Sequence, residues 1–436
     1  MNILLIGSGA REHAMARAIK RCSQNHELVC IGTNNNPGIM SLSSTLTVRK
    51  VTDSSAIVNF AEEHNVDLAI IGPEAPLETG VSDALWQADI PTIGPKKELA
   101  QIETSKAFAR KLLTKYHIPA CPQFRVFTQM EGVKKFLQEL GENYVVKADG
   151  LMGGKGVKVS GEHLQSHKEA LEYCKKLLVK DGQFVLEEKL IGEEFSLMSF
   201  CDGKNLAHMP PVQDHKRAYV GDEGPNTGGM GSYSDANHLL PFLTREDVNQ
   251  AQQFNEATIE ALKKEFGMGY KGILYGGFIV TTNGVKLIEY NARLGDPEGM
   301  NILAILESDF VTICWAIVDG TLTQEHARFS NLATVCKYAV PEGYPDSPVK
   351  GEKIDISEVV DKAQLYYASV ESRGDELFEA GSRTVAFVGI AETLPEAEAK
   401  AEEEISRVRG PLFHREDIGT AELIRKRVEH MNGLRV

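Results

Sequence analysis

The 436-residue sequence predicts a multidomain α/β protein that begins with a doubly wound α/β domain. The apolar segment NILLIG (2–7) is followed by a glycine turn and then by REHAMARAIKR (11–21), whose apolar residues recur at helical spacing. Further short apolar strands occur at 27–32, 66–72 and 90–94, with helical stretches between them. Strand, turn and helix repeated in this order are typical of a parallel sheet with crossover helices.

The composition limits the classes of function. A net charge of −14 and a pI near 5.4 argue against a general nucleic-acid binder, because counterion release requires a basic surface. The 7 cysteines are scattered and form no C-x-x-C pair, so neither a disulfide framework nor a zinc site is indicated. No apolar run is long enough for a signal peptide or a membrane span, and we expect a cytoplasmic protein with no membrane partner.

Domain boundaries follow from the order of the patterns. The first domain covers residues 1–101, a second region covers 102–328, and a third covers 329–436. Within the second region, a helix is expected over 104–117, and the strand, hairpin and helix pattern of 122–190 predicts a small α+β module.

Two elements further along carry specific expectations. Asn283-Gly284 lies between two apolar runs, which is the strongest short signal for a β-hairpin. In the third region, strands are expected in the apolar runs, and the acidic stretch PEAEAKAEEEISRV (395–408) is interpreted as a helix with a solvated charged face.

A glycine-rich loop, ADGLMGGKGV (148–157), lies inside the α+β module. It is not a Walker loop, because Lys155 is followed by Gly156 rather than Ser or Thr, and Gly150 is one residue too close. The β-branched residues on both sides indicate that the loop joins two strands. It is either a flexible hairpin whose N–H groups close over phosphates or a mobile surface hairpin.

Glu289 and Asn291 lie two apart in the strand pattern of KLIEYNARLGDPE and therefore project from the same face. One carboxylate and one amide are a poor set for zinc but suit magnesium, which fills its remaining positions with phosphate and water oxygens. The alternative is an ordinary cross-strand polar pair. Arg293, Asp296 and Glu298 follow directly and add polar groups to the same region.

Two other stretches offer groups for a nucleotide. Lys147, at the end of the strand before the glycine loop, would lie beneath phosphates if the loop closed, although an isolated lysine is more often a surface residue. VLEEKLIGEEFS (185–196) contains Glu187, Glu188 and Glu194 in quick succession, and these groups could bind an adenine edge and a ribose diol or simply form a solvated strand end.

The long loop 211–234 is too rich in glycine and too long for an ordinary connection. Its Asp214 to Arg217 cluster could hold an ammonium group and an anion. At the N-terminus, GSGARE (7–12) has Glu12 where the dinucleotide fingerprint requires a third glycine, so NAD binding is weakly supported, while an anion at the helix N-terminus is plausible. GPEAPLETG (72–80) follows a buried strand at the edge where open α/β sheets bind ligands.

In order and spacing, GSGAREHA, GPEAPL, SKAF, KADGLMGGKGV, QDHKR, GPNTGGMGSYS, EYNARLGDPE and REDIG resemble the phosphoribosylamine-glycine ligase family, a member of the ATP-grasp superfamily. The resemblance spans nearly the whole chain. It implies an N-terminal α/β domain, an ATP-grasp core with a mobile α+β lid, and a small C-terminal α/β domain. It also implies that GLMGGKGV is the lid loop over ATP.

The resemblance assigns roles residue by residue. It implies that ATP, the co-substrate, contacts Lys106, Lys147, Gly153, Gly154, Lys155, Gly156, Glu187, Glu188, Leu190 and Glu194. It implies that Glu289 and Asn291 bind Mg²⁺ or Mn²⁺. The implied catalytic residues are Asp214, Lys216, Arg293 and Asp296, and the implied substrate-binding residues are Gly9, Arg11, Glu12, Glu74, His215, Arg217 and Pro297.

The implied reaction joins glycine to 5-phosphoribosylamine through a glycyl phosphate, in a monomer acting in purine biosynthesis. Two departures from the family pattern stand out: Met152 and Gly153 occupy positions where small residues such as alanine are expected, and GTNNNPGIM (32–40) differs from the usual Pro-Gly-Asn order. The second leaves open how the N-terminal domain holds the ribose. The alternatives are another ATP-grasp ligase or carboxylase, or a non-enzymatic or NAD-binding protein that shares only the first hundred residues.

Overall fold

The computed structural model of the chain describes residues 1–152 and 156–435. The elements of its N-terminal domain are β1 (Asn2–Ile6), α1 (Ala10–Lys20), β2 (Glu27–Gly32), α2 (Pro37–Met40), β3 (Thr45–Val48), α3 (Ser54–Glu63), β4 (Leu68–Ile71), α4 (Glu74–Thr79), α5 (Val81–Gln87) and β5 (Thr92–Ile93). The strands form a parallel sheet in the order β3-β2-β1-β4-β5, which confirms the predicted doubly wound fold. In this order the carboxyl ends of β1 and β4 lie side by side and place GSGARE next to GPEAPL.

Two helices, α6 (Lys97–Thr104) and α7 (Lys106–Lys115), lead out of this domain. The helix predicted over 104–117 corresponds to α7. Ser105 separates the two helices because its backbone is extended, and its hydroxyl accepts the N–H of Phe108 at 3.0 Å. This cap fixes the start of α7 and with it the position of Lys106.

The α+β module consists of β6 (Phe124–Phe127), α8 (Val133–Leu140), β7 (Tyr144–Ala148), β8 (Val157–Val159), α9 (His167–Asp181) and β9 (Phe184–Glu188). Its strands pair antiparallel in the order β6-β9-β7-β8. The module buries an apolar cluster of its own, separate from the continuous core that runs through the rest of the described chain. It is therefore a distinct packing unit, as expected for a lid, with the glycine loop between β7 and β8.

The central sheet and the segments around it contain β10 (Glu193–Asp202), β11 (Leu206–His208), β12 (Gln213–Asp214), β13 (Arg217–Tyr219), β14 (Glu223–Asn226), β15 (Gly231–Ser234), α10 (Arg245–Phe266), β16 (Lys271–Thr281) and β17 (Gly284–Asn291). Four strands pair in the order β11-β10-β16-β17. The predicted hairpin is present, but its turn residues are Thr282 and Asn283, because Gly284 already pairs with Thr281 as the first residue of β17. Glu289 and Asn291 lie near the end of β17.

The remaining elements are α11 (Glu298–Ala304), α12 (Phe310–Asp319), β18 (Ala333–Pro341), β19 (Lys353–Ile354), β20 (Leu365–Tyr367), β21 (Val370–Arg373), β22 (Glu376–Glu379), β23 (Val385–Ala391), α13 (Leu394–Ile405), β24 (Leu412–Phe413) and α14 (Ala421–Leu434). β18 pairs with both β15 and β23, so one sheet runs β12-β15-β18-β23-β20 across the predicted boundary at 328. The C-terminal strands are thus hydrogen-bonded to the segment that carries Asp214.

The acidic helix α13 differs from the expectation of a merely solvated face. The Nζ atom of Lys337, whose side chain is fully buried, lies 2.7 Å from Glu398 Oε1 and 2.6 Å from Glu402 Oε2. A buried ammonium group needs such partners, so two carboxylates of α13 are structural. Over the described ranges 1–152 and 156–435, no helix is both long and apolar enough to cross a membrane.

Candidate active site

A small pocket opens where the central sheet meets the segment that contains β12. Its lining includes Glu194, Asp214, Lys216, Tyr275 and Glu289. β10 pairs with β16 and β16 with β17, and a bridge between Ser196 and Val212 attaches the β12 segment to β10. Residues far apart in sequence are brought together by this pairing.

Glu289 and Asn291 lie on β17 as predicted, and both are half-buried. Burial alone would raise the pKa of Glu289, but the charges of Lys216, Lys106 and other nearby cations outweigh it and lower the pKa. Glu289 is therefore a carboxylate at neutral pH, while Asn291 offers an amide oxygen.

The two residues supply only a partial coordination sphere. Within the described ranges, no cluster of three or more His, Cys, Asp or Glu side chains has a metal-binding arrangement. Two hard oxygen donors near a polar pocket fit a divalent cation that shares its remaining positions with phosphate and water, and they do not fit a closed structural zinc site.

Lys216 lies among carboxylates at the centre of the pocket. Its Nζ atom is 3.6 Å from Glu194 Oε2. Burial would lower the pKa of Lys216, but Glu194, Glu289 and Asp214 together raise it above its usual value. The side chain is a permanent ammonium group that can neutralise an anionic ligand.

Asp214 contributes a buried carboxyl group. Its Oδ1 atom has no hydrogen-bond partner in the part of the chain that the structure describes. Burial raises the pKa of Asp214 well above its usual range, and the nearby Glu298 raises it further. The hydroxyl of Tyr275 donates to Glu298 Oε1 at 2.7 Å, which holds the second carboxyl group in place. An incoming cation would favour the ionised form of this pair.

The entrance to the glycine loop is fixed by Asp149. This carboxylate accepts the Ser105 hydroxyl at 2.9 Å and the Ala107 N–H at 3.0 Å, so it helps to cap α7. Lys106 Nζ donates to the carbonyl of Gly150 at 3.0 Å. Lys106 is thus held at the mouth of the predicted lid loop. Gly153, Gly154 and Lys155 lie outside the described residues, whereas Gly156 is described and accepts the N–H of Ala148 at 2.8 Å.

The Glu187 side chain takes part in a buried network of ion pairs and hydrogen bonds. Arg110 Nε lies 2.9 Å from Glu187 Oε2, and Lys147 forms an ion pair with the same carboxylate. Arg110 and Lys147 also donate to the carbonyl of Ile288, at 2.9 Å and 3.2 Å. The Glu187 carboxylate therefore belongs to a buried network that joins α7, β7 and β9, and its expected contact with ATP stays a prediction.

Neighbouring groups of the same segment are also engaged. Glu188 Oε1 accepts the N–H of Gln123 at 2.9 Å. Its carboxylate therefore ties β9 to the chain before β6. Leu190 is half-buried beside the strand, and Glu194, whose side chain is 53% exposed, remains accessible for a ribose.

Arg293 links Asn291 to the N-terminal domain. Its Nη2 atom donates to Asn291 Oδ1 at 3.3 Å and lies 3.4 Å from Glu103 Oε1, and its Nε atom lies 3.5 Å from Glu74 Oε2. Glu103, which the sequence analysis did not single out, also accepts the N–H of Ala292 at 2.7 Å. No local sequence signal marks it, because its partners are almost two hundred residues away.

The side chain of Glu12 fills the space inside the N-terminal turn. Glu12 Oε2 accepts the N–H of Gly9 at 2.6 Å, and Glu12 Oε1 lies 2.7 Å from Arg11 Nε. A Cβ atom added to Gly72 would lie 2.2 Å from Glu12 Oε1, so the carboxylate occupies the space between the two turns. The anion expected at the N-terminus of α1 is Glu12 itself.

Strands of the C-terminal domain cover the same edge of the N-terminal sheet. The amide of Asn36 donates to the carbonyls of Ser8 at 2.9 Å and of Tyr367 at 2.7 Å. His13 Nδ1 accepts the N–H of Tyr367 at 3.0 Å. The divergent loop 32–40 therefore joins the N-terminal turn to the C-terminal domain.

Two predicted substrate-binding residues face elsewhere. His215 is buried against the ring of Tyr233, with centroids 5.8 Å apart, because alternate residues of an extended segment point to opposite sides. Arg217 pairs with Glu162 of the α+β module and donates to the carbonyl of Gly224 at 2.8 Å. These contacts do not test whether the two side chains bind substrate, which stays a prediction.

Asp296 also differs from expectation, since both of its carboxylate oxygens have protein partners. Tyr338 donates to Oδ1 at 2.7 Å, and Arg383 Nη2 lies 3.0 Å from Oδ2. Asp296 is therefore held in place by two residues of the C-terminal domain, and its catalytic role stays a prediction. Pro297, the next residue, lies against Gly229, where an added Cβ would be 2.6 Å from its Cδ atom.

Comparison with known proteins places three family models along the chain. The models described as the N, ATP-grasp (A) and C domains of phosphoribosylglycinamide synthetase match residues 1–103, 104–299 and 334–421. The chain is 50% identical over 435 residues to a phosphoribosylamine–glycine ligase of Methanosarcina barkeri, covering all of both chains. It is 51% identical over 445 residues to the Methanocaldococcus jannaschii ligase, again over the full length of both.

Solved structures show the same architecture. The crystal structure of a phosphoribosylamine–glycine ligase from Thermotoga maritima superimposes with a TM-score of 0.81 at 29% identity, covering 96% of this chain and 100% of that one. A biotin carboxylase domain of Hydrogenobacter thermophilus 2-oxoglutarate carboxylase, crystallised with MgADP, has a TM-score of 0.73 at 16% identity, covering 99% of this chain and 93% of that one. The second likeness concerns the fold alone.

Proposed function

The chain belongs to the phosphoribosylglycinamide synthetase family, and from this membership we infer that it ligates glycine to 5-phosphoribosylamine at the expense of ATP. The products are glycinamide ribonucleotide, ADP and phosphate, in a step of purine biosynthesis. The enzyme is a carbon–nitrogen ligase with the ATP-grasp fold.

The observation that carries this function is the set of cations around Glu289. Lys216, Lys106 and Lys147 all lower the pKa of this carboxylate, so their charges converge on one point beside the glycine loop. Such a concentration of positive charge around the Glu289 carboxylate suits the binding of the terminal phosphates of ATP together with a divalent cation. A pocket for a neutral substrate would not require it.

Glu289 and Asn291 would hold the divalent cation, which we expect to be Mg²⁺ or Mn²⁺. When bound, the cation withdraws charge from the phosphate oxygens of ATP. The two oxygens of Glu289 and Asn291 would leave most coordination positions of the cation to phosphate and water oxygens. Lys106 and Lys147 would contact the phosphates, and Glu194 the ribose.

We assign glycine to the space beside Asp214. Its unpartnered Oδ1 is the acceptor for the glycine ammonium group, and Lys216 is placed to neutralise the glycine carboxylate. A buried carboxyl group with no internal partner is costly unless a ligand completes it. Its pairing with an ammonium group would supply that missing partner.

The first chemical step activates the glycine carboxylate. One carboxylate oxygen attacks the γ-phosphorus of ATP, the bond to the bridging oxygen of ADP breaks, and ADP leaves with that electron pair. The product is glycyl phosphate, whose leaving group is phosphate instead of oxide. Lys106, Lys147 and Lys216 would stabilise the charge on the transferring group.

The second step forms the amide. The amine of 5-phosphoribosylamine attacks the acyl carbon, the carbon–oxygen bond to phosphate breaks, and the amine loses a proton. Phosphate leaves with the oxygen that came from glycine. We place this substrate at the sheet edge beside Glu74, outside the space that Glu12 fills, because Arg293 joins that edge to Asn291.

The test is release of ADP with each substrate omitted in turn. We expect ADP only when ATP, a divalent cation, glycine and phosphoribosylamine are all present, with glycinamide ribonucleotide formed in equal amount. ADP release that depends on bicarbonate, or on another carboxylic acid but not on glycine, would assign the chain to another ATP-grasp activity. The monomeric state proposed for the enzyme is tested separately by its sedimentation.

A further inference from the structure

One arginine of the C-terminal domain reaches two loops of the candidate active site. Arg383, just before β23, is 16% exposed at its side chain. Its Nη1 atom lies 2.5 Å from the carbonyl oxygen of Gly228, 3.1 Å from that of Gly229 and 3.0 Å from that of Asp296, so its two N–H groups are shared among three acceptors. Its Nη2 atom lies 3.0 Å from Asp296 Oδ2. A single guanidinium group therefore connects the loop of 228–229 with the loop of 296.

Tyr338 on β18 completes this arrangement. Its ring centroid lies 4.6 Å from the Arg383 guanidinium carbon, and its hydroxyl donates to Asp296 Oδ1 at 2.7 Å. Tyr338 is fully buried. The ring fixes the plane of the guanidinium group, and the hydroxyl fixes the carboxylate that faces it.

The two joined loops enclose the free oxygen of Asp214. A Cβ atom added to Gly229, whose φ is +106°, would lie 2.6 Å from Asp214 Oδ1 and 2.6 Å from Pro297 Cδ. The backbone at Gly229 and the ring of Pro297 thus pack closely around this oxygen, next to the pocket that Asp214 lines. Displacement of either loop would change the surroundings of the Asp214 carboxyl group.

We propose that Arg383 is a positioning residue that sets the size and shape of the glycine subsite by holding these two loops together. The proposal rests on the ligase function proposed above. Lysine cannot replace it, because one ammonium group does not reproduce a planar fork that bonds three carbonyls and a carboxylate at once. The C-terminal domain would then determine how tightly glycine binds.

The experiment measures steady-state kinetics of the full-length enzyme with each substrate varied. We expect Arg383→Lys to raise the KM for glycine about 100-fold, the effect typical of a reacting group displaced by about 1 Å. The KM for ATP should change by less than about twofold, since the nucleotide residues are not touched. Tyr338→Phe keeps the ring and removes one hydrogen bond, and should raise the glycine KM by up to about tenfold.

Glu398→Gln is the matched control. It weakens the ion pair between Glu398 and Lys337. Lys337 neighbours Tyr338 on β18, but its side chain contacts α13 instead of the active-site loops. The substitution should lower the thermal stability of the enzyme and leave the glycine KM unchanged. Circular dichroism of all three variants verifies that the chain is folded.

Two results would separate the proposals. A wild-type enzyme that releases no glycine-dependent ADP would refute the ligase function and this proposal together. A wild-type ligase whose folded Arg383→Lys and Tyr338→Phe variants keep the wild-type glycine KM would refute only the role of Arg383. Equal losses for glycine and ATP, parallel to the loss of stability, would also refute it by showing a general structural effect.

Discussion

Glu289 is the residue around which the positive side chains of the site are arranged. Its carboxylate and the Asn291 amide share one face of β17, and Arg293 holds the amide oxygen at 3.3 Å. The strand gives both side chains a fixed direction, which is what a metal site requires. Removal of either oxygen should therefore act on chemistry more than on folding.

We expect Glu289→Gln and Asn291→Ala each to lower kcat/KM about 100-fold or more, because each removes one of two protein oxygens available to the divalent cation. Their thermal midpoints should stay near that of the wild type. Lys286→Gln, an exposed change on the same strand, is the control. Wild-type turnover in both variants at saturating Mg²⁺ would remove the metal assignment.

Asp222 is a second residue with a defined electrostatic role, outside the site. Burial would raise its pKa, but the neighbouring His215, Arg427 and Arg415 together lower it to about 2. The Arg415 contact is 2.8 Å. Because the folded pKa lies below the unfolded value of about 4, this carboxylate stabilises the fold above pH 4 and loses that effect as the pH falls towards 2.

Asp222→Asn should therefore lower the free energy of unfolding by about 2 kcal/mol at pH 7. The difference from the wild type should shrink as the pH falls below about 4. Urea unfolding at several pH values measures this difference, with the exposed Asp375→Asn as control. A difference that is constant between pH 7 and pH 3 would show that Asp222 acts through packing instead of charge.

At the scale of elements, the α+β module is joined to the rest of the chain by a few polar contacts. Asp149 caps α7 and accepts Gln183 Nε2 at 2.6 Å, while Glu162 pairs with Arg217 of the central region. The module's separate apolar cluster leaves it free of the main core. Its position relative to that core therefore depends on such polar contacts, including the one from Lys147, an expected phosphate contact, to the carbonyl of Ile288.

Hydrogen exchange tests this dependence. A non-hydrolysable ATP analogue with Mg²⁺ should slow amide exchange in β7 and β8, because the bound phosphates would order the hairpin around Lys147. Exchange in β11, at the far edge of the central sheet, should not change. Unaltered rates in β7 and β8, with binding confirmed by calorimetry, would mean that the hairpin does not close over the nucleotide.

Elements whose signals are local were predicted well. The strand and helix of residues 2–20 and the shared face of Glu289 and Asn291 follow from apolar periodicity and the two-residue repeat of a strand. The burial of His215 was not predicted, because it depends on packing against Tyr233 of β15 and not on a local pattern. The network around Glu187 was not predicted either, because its partners Arg110 and Lys147 come from other elements of the fold.

At the scale of the whole molecule, the contacts that could not be predicted are those between domains. Arg383 lies more than eighty residues from Asp296, and Asn36 lies over three hundred residues from Tyr367. No periodicity links such pairs, because they depend on how complete domains pack. The order of the motifs nevertheless predicted the family, since that order is a property of the whole chain.

The arrangement of domains is suited to a chain that must bring three substrates together. The central sheet and the α+β module form the side that we assign to ATP, the N-terminal sheet edge is the side that we assign to phosphoribosylamine, and Arg293 spans the two. The C-terminal strands pair with the segment of Asp214 and cover the N-terminal edge. The C-terminal domain therefore lies against both proposed sites, the one for glycine and the one for phosphoribosylamine.

The most direct test of the account follows an oxygen atom from glycine to phosphate. If the γ-phosphoryl group of ATP is transferred to the glycine carboxylate, one carboxylate oxygen must leave with phosphorus. Glycine labelled with heavy oxygen in its carboxylate should therefore yield inorganic phosphate carrying one heavy oxygen per turnover, measured by the isotope shift in the phosphorus NMR spectrum. Unlabelled phosphate formed together with an equal amount of glycinamide ribonucleotide, or label found in AMP, would contradict the glycyl phosphate mechanism.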